Sequence, residues 1–143
     1  MLWTGKKEIT PGPKTIKLYP TYGTRQIDFD IIDLINEYRN NNKLTKIIFN
    51  QELSNAAYSH CLYMSVKEKP SHDYATERQE HFAPQLVGEI VAYNYQNAAS
   101  TVSAWIYSKE HCKILLKTNY LFIGVATAYD KENRPYVTAL LMN

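Results

Sequence analysis

The chain has 143 residues, 45% of them hydrophobic, and carries sixteen Lys and Arg against fourteen Asp and Glu for a net charge of +2. That length suits one domain able to bury about 70% of the surface its unfolded form exposes. Two cysteines, Cys61 and Cys112, exclude a disulfide framework, and no C-x-x-C pair points to a structural zinc site; one bridge and two free thiols both remain open.

Residues 1–26 contain "TPGPK" and "LYPTYGT" without a sustained helical or strand period, and read as an extended N-terminal arm with turns, ahead of a domain over 27–143. The arm holds five basic residues against Glu8 alone and so carries +4, which leaves the domain at −2. A mildly acidic body argues against nucleic acid as a specific partner. The opening "MLWTGKKEITPGPK" lacks the apolar core of a signal peptide, and the longest apolar run, "YLFIGVATAY", is far too short to span a membrane.

From Ile27 the pattern becomes helical. Ile27, Ile31, Leu34, Ile35 and Tyr38 share a face, Asp28 or Asp30 caps the start, "NNNK" stops it, and Asp33, Glu37 and Arg39 fall on the solvated side. A second helix follows Asn50 as N-cap, with Leu53, Ala56, Ala57, His60 and Met64 as its apolar stripe. His60 lies inside that stripe and reads as a packed histidine bonded to a nearby carbonyl. Residues 65–96 are irregular, with Pro70, Pro84 and Gly88 marking loops around "LVGEIVAY". Asn97 opens a third helix whose Ala98, Val102, Trp105 and Ile106 face one way. The chain closes as a hairpin: "LFIGVATAY" alternates large and small side chains, "DKENRP" turns, and "YVTALLM" returns. Helices first, a terminal antiparallel hairpin last and no βαβ alternation give an α+β fold.

The residues that carry chemistry are four histidines (His60, His72, His81 and His111) and nearby glutamates. No metalloprotease helix, nucleophile elbow, phosphate loop or dinucleotide fingerprint accompanies them. Glu89, in "GEI", is either a solvated strand-face carboxylate or a buried one, which would cost several kcal/mol unless paired.

Five segments in order, "IIDLINEYRNNNKLTKIIFNQELSNAAYSHCLYM", "SHDY", "GEIVAYN", "AWIYSKEHCKILL" and "IGVATAYDKENRPYV", resemble the CAP superfamily, or SCP-like domains, of cysteine-rich secretory, antigen 5 and pathogenesis-related 1 proteins. The resemblance implies an α-β-α sandwich with a central antiparallel sheet and a cleft that gathers histidines and glutamates. His72 is similar to the histidine of the family's F-S-H element, Glu89 to the acid of G-E-N, and His111 to the histidine of the bacterial S-x-G-H-R element, so that His111 is expected opposite His72. Cys112 then serves packing. Ile90, Glu110, Ser108 and Ile114 depart from the family pattern.

His72 and His111 would hold Zn²⁺ or a similar divalent cation at an open site, with Glu89 completing the shell or acting as base on a metal-bound water. The resemblance implies an extracellular binding module for a lipid, glycan or protein partner. A metal-dependent hydrolase is the alternative, and a viral or phage virion component docked through residues 1–26 is a third.

Overall fold

The computed structural model describes residues 19–143 and the backbone of Leu2–Trp3. Most of the expected docking arm, and any assembly contact through it, therefore lies outside the described residues. From Tyr19 onward the chain runs against the body: Tyr22 is buried, stacks on Tyr58 and donates its hydroxyl hydrogen to Asp28.

The elements in chain order are β1 (Leu2–Trp3), α1 (Gln26–Asn41), β2 (Ile48–Phe49), α2 (Gln51–Lys67), α3 (Ala75–Phe82), β3 (Val87–Tyr93), α4 (Ala98–Tyr107), α5 (Lys109–Leu115), β4 (Phe122–Tyr129) and β5 (Pro135–Met142). The strands form one sheet in the order β1-β3-β5-β4-β2. The central strands pair antiparallel, as expected, and two-residue β2 adds a parallel pairing with β4 at one edge, which makes the sheet mixed. A segment that short leaves no period-2 trace to read.

Helices cover both faces. On one side Ile31, Ile35, Val102, Trp105, Ile114 and Leu115 from α1, α4 and α5 pack on Ile90, Ile123, Val125 and Ala139. On the other, Leu53, Ala57, Cys61 and Met64 of α2 and Phe82 of α3 pack on Val87, Val91, Ala126 and Leu140. The result is an α-β-α sandwich. With both faces covered, β4 and β5 are buried at nearly every position and show little of the apolar/polar alternation of a half-solvated strand.

Local signals explain most element ends. Asn50 accepts from the Leu53 amide and Asn97 from the Ser100 amide, as N-caps do. At α1 the N-cap is Arg25, and Asp28 caps from the third helical position by accepting the Arg25 amide. Residues 65–96 are more regular than expected: they contain α3 and β3. Gly88 lies inside β3 rather than in a loop, and a Cβ there would strike the side chain of Tyr120.

Arg39 is the clearest departure on α1. Expected in water, it is fully buried, and its guanidinium donates to the carbonyls of Thr45 (2.9 Å), Leu115 (2.8 Å) and Lys117 (2.9 Å). It ties α1 to the turns after itself and after α5 by satisfying carbonyls that helix ends leave open. Both cysteines are free thiols; Cys61 is buried beside Thr138, and Cys112 contacts the Tyr38 hydroxyl at 3.1 Å.

Helix α2 approaches β4 most closely at Gly124, where any Cβ would collide with the backbone of Leu53 and Ser54. Gly124→Ala is expected to destabilise the protein by about 3 kcal/mol, the upper range for overpacking, as read by urea denaturation. Gly23→Ala, where a Cβ meets nothing within 4 Å, should leave the midpoint nearly unchanged. Equal midpoints for the two variants would contradict this account of the α2–β4 contact.

Candidate functional site

The site starts from the parity of β3. Val87, Glu89 and Val91 point toward α2, while Ile90 and Ala92 point into the opposite core; Glu89 pairs with Leu140 on the α2 side. Its carboxylate is 1% exposed. Arg78, on the short helix α3, reaches it with two bonds, Nε to Oε1 at 2.6 Å and Nη2 to Oε2 at 2.9 Å. His72 donates Nδ1–H to Oε2 at 2.6 Å.

The loop that carries His72 is itself tied down. His60 donates Nε2–H to the Ser71 carbonyl at 2.7 Å, Arg78 Nη1 donates to the Asp73 carbonyl at 2.8 Å, and the Tyr63 hydroxyl donates to the Asp73 carboxylate at 2.6 Å. His60 is the packed, carbonyl-bonded histidine that its place in the α2 stripe suggested.

Burial acts on Glu89 most strongly and would raise its pKa, but the His72 bond, the charge and bonds of Arg78 and the nearby His60 together bring it down to about 2. It is a settled carboxylate. His60 is shifted the other way: burial first, then the charge of Arg78, lower its pKa and keep the imidazole neutral at pH 7. With Nε2–H committed to Ser71, Nδ1 of His60 is a buried acceptor without a partner, and Nε2 of His72 is likewise buried and unpartnered.

Outside this cluster lies a cavity of about 200 Å³ lined by Tyr19, Ser59, His60, Tyr63, Tyr74, Glu77 and Arg78. Tyr63 and Tyr74 stand almost perpendicular, with centroids 5.4 Å apart and planes at 86°. Tyr74 caps α3 in the left-handed region at φ 63°, which holds its ring 61% exposed at the rim.

The structure brings Glu89 and His72 together. His111 is on α5, whose Ile114 and Leu115 pack with α1 and α4 on the other face of the sheet. The pairing of His72 with His111 at a metal ion stays an expectation from sequence. Among the described residues no group of three His, Cys, Asp or Glu is placed to hold a metal ion. Both oxygens of Glu89 are already engaged by Arg78 and His72, while Nε2 of His72, an expected zinc ligand, is uncommitted. Arg78 and the tyrosine walls were missed in the sequence; the signal that could have found Arg78 is the need of a buried Glu89 for a cation.

Comparison with known proteins follows the fold. The family model described as "CAP: Cysteine-rich secretory protein family" matches residues 32–141. The chain is 33% identical over 102 residues to "Uncharacterized membrane protein YlbC" of Bacillus subtilis (strain 168), covering 66% of this chain but 30% of that protein's length. An outer surface protein from Borrelia burgdorferi is similar in structure, with a TM-score of 0.73 at 18% identity over 87% of this chain and 97% of that one. An extracellular SCP-domain protein from Bacillus anthracis str. Ames gives 0.69 at 24% identity over 80% of this chain and 40% of that one. A cysteine-rich secretory protein from Staphylococcus aureus subsp. aureus Mu50 gives 0.69 at 19% identity, over 86% and 40%.

Glu89→Gln leaves the Arg78 guanidinium buried without its counter-charge and should cost about 3–5 kcal/mol in chemical denaturation. The folded pKa of Glu89 lies below its ordinary 4.5, so its contribution is complete above that value and is lost as pH falls toward about 2. The stability gap between wild type and Glu89→Gln should therefore narrow through that window, and a gap independent of pH would contradict the assigned charge state.

Proposed function

The chain belongs to the CAP, or cysteine-rich secretory protein, family, and on that premise we propose that it is a binding module whose tyrosine-walled pocket takes a small ligand over the Glu89 cluster. The observation that carries this reading is the state of Glu89. A carboxylate held at about 2 by two bonds from Arg78 and one from His72 is a weak base with both oxygens engaged. That favours a rigid floor for recognition over the general base that a metal-assisted hydrolase would need. Glu89, His72 and Arg78 hold the loop and α3 in place so that Tyr63, Tyr74 and His60 present fixed surfaces.

Pocket size narrows the ligand. At about 200 Å³ the cavity falls below the roughly 300 Å³ at which pockets for drug-sized molecules begin. It suits a head group or a single terminal residue, so a lipid, glycan or protein partner would be engaged through one small moiety. The neighbours named as extracellular or outer-surface proteins support work outside the cell. No helix among the described residues is long and apolar enough to cross a membrane.

Two measurements test the reading. Ligand-observed NMR with a chemically mixed fragment set should find binders that wild type holds and Tyr74→Ala releases, with the fold unchanged by circular dichroism because Tyr74 is exposed. Binders insensitive to Tyr74→Ala, or none at all, would sink the proposal. In zinc calorimetry, any saturable heat should respond to His72→Ala and not to His111→Ala; loss in both variants would restore the pairing expected from sequence.

A further inference from the structure

We propose that one end of the sandwich, where the turn after α1 meets α5 and the turn that follows it, docks on an anionic lipid surface. The sorting of charge points there first. Residues 42–49 and 109–121 hold Lys43, Lys46, Lys109, Lys113 and Lys117 against Glu110 alone, which makes +4. Since residues 27–143 carry −2 in all, the rest of that domain stands at −6. A basic end on an acidic body orients the molecule in the field of a negative surface.

The fold makes the two stretches one surface. Arg39 donates to the Thr45 carbonyl at 2.9 Å and to the Leu115 and Lys117 carbonyls at 2.8 and 2.9 Å, so one guanidinium sets both turns side by side. Tyr38 and Cys112, in contact at 3.1 Å, join α1 to α5 alongside. Lys109 and Lys113 lie four residues apart on α5, turned away from the buried Ile114 and Leu115. All five lysines are exposed, and no ion pair among the described residues includes any of them. Capping of helix ends does not account for them, because Arg39 already takes the carbonyls at the end of α5. Arg39 is held by carbonyls rather than by a carboxylate, so its buried charge adds to the same positive field.

Apolar side chains at this end favour a membrane over a dissolved polyanion. Ile48 is 59% exposed and Leu121 47% exposed, and their backbones are joined by the Ile48 amide donating to the Leu121 carbonyl at 2.8 Å. Both lie within four residues of a patch lysine, Lys46 or Lys117. Lipid phosphates attract the lysines, and the layer beneath them takes aliphatic side chains that water does not. A polyanion in solution offers the first and not the second. The lysines belong to α5 and the turns beside it, in the layer across the sheet from α2, so this contact stands apart from the tyrosine-walled pocket and does not depend on it.

The test is co-sedimentation of the full chain with vesicles at pH 7, either phosphatidylcholine alone or phosphatidylcholine and phosphatidylglycerol in equal parts. Binding to the mixed vesicles is expected to be stronger by about ten-fold or more and to fall steeply as salt is raised. The double variant Lys46→Gln, Lys117→Gln should weaken it by about 25-fold, at roughly five-fold for each lysine near an anionic surface. Ile48→Ser should weaken it by about three-fold or more while leaving binding to dextran sulfate, a soluble polyanion, unchanged. These positions are exposed, so circular dichroism should match wild type, and Lys131→Gln, beyond the far end of β4, should change nothing. Equal binding to both vesicles, or none to either, would overturn the proposal. Binding unchanged by the lysine pair would move the attraction to the lysines of residues 1–26 and overturn it as well. Vesicle binding indifferent to Ile48→Ser, with dextran sulfate binding lost in the lysine variant, would replace the lipid surface by a soluble polyanion.

Discussion

A carboxylate placed on the buried face of a strand costs several kcal/mol unless charges and hydrogen bonds around it replace the water it loses. Glu89 imposes that condition on this protein. The reply comes from segments that share little else: α3 contributes Arg78, the loop before it contributes His72, and His60 of α2 holds that loop through the Ser71 carbonyl. α3 has only eight residues and few means of holding itself, since isolated helices of that length are marginal in water. Pairing Arg78 with the sheet is what gives it a fixed position.

The pocket follows from that tether. Arg78 also bonds the Asp73 carbonyl, Asp73 receives the Tyr63 hydroxyl, and Tyr74 then turns its ring against Tyr63. The recognition surface is thus an outward continuation of a buried ion pair, and removing the charge should loosen both. The same chain of contacts explains why Glu89 is poorly suited to proton transfer: the bonds that place the loop occupy its oxygens.

The other face of the sheet has a different task. There Arg39 joins α1 to the α5 turn through three carbonyls, and Trp105 donates its indole N–H to the Val91 carbonyl at 3.2 Å. These bonds hold α1, α4 and α5 as a backing layer. His111 belongs to that layer, and the departures at Ile90 and Ile114 are core positions within it, each 2% exposed or less. Apolar residues there serve packing against the sheet, on the side away from Glu89.

Much of this architecture was legible from residue order. Helical spacing placed α1, α2 and α4, Asn50 and Asn97 marked two helix starts, and "DKENRP" between two apolar runs marked the hairpin, because caps, periods and turns are local properties. Five segments in order were enough to recognise the family. What only the tertiary structure decided is which side of the sheet each chemical group faces. Glu89 and Ile90 are neighbours in sequence, yet strand parity sends one to His72 and Arg78 and the other to the face covered by Ile114 and Leu115 of α5. Arg39 and Arg78 look like surface charges, and both are buried because their partners, three carbonyls and one carboxylate, come from distant parts of the chain. Local pattern cannot carry such information, since a buried charge is defined by neighbours that only folding supplies.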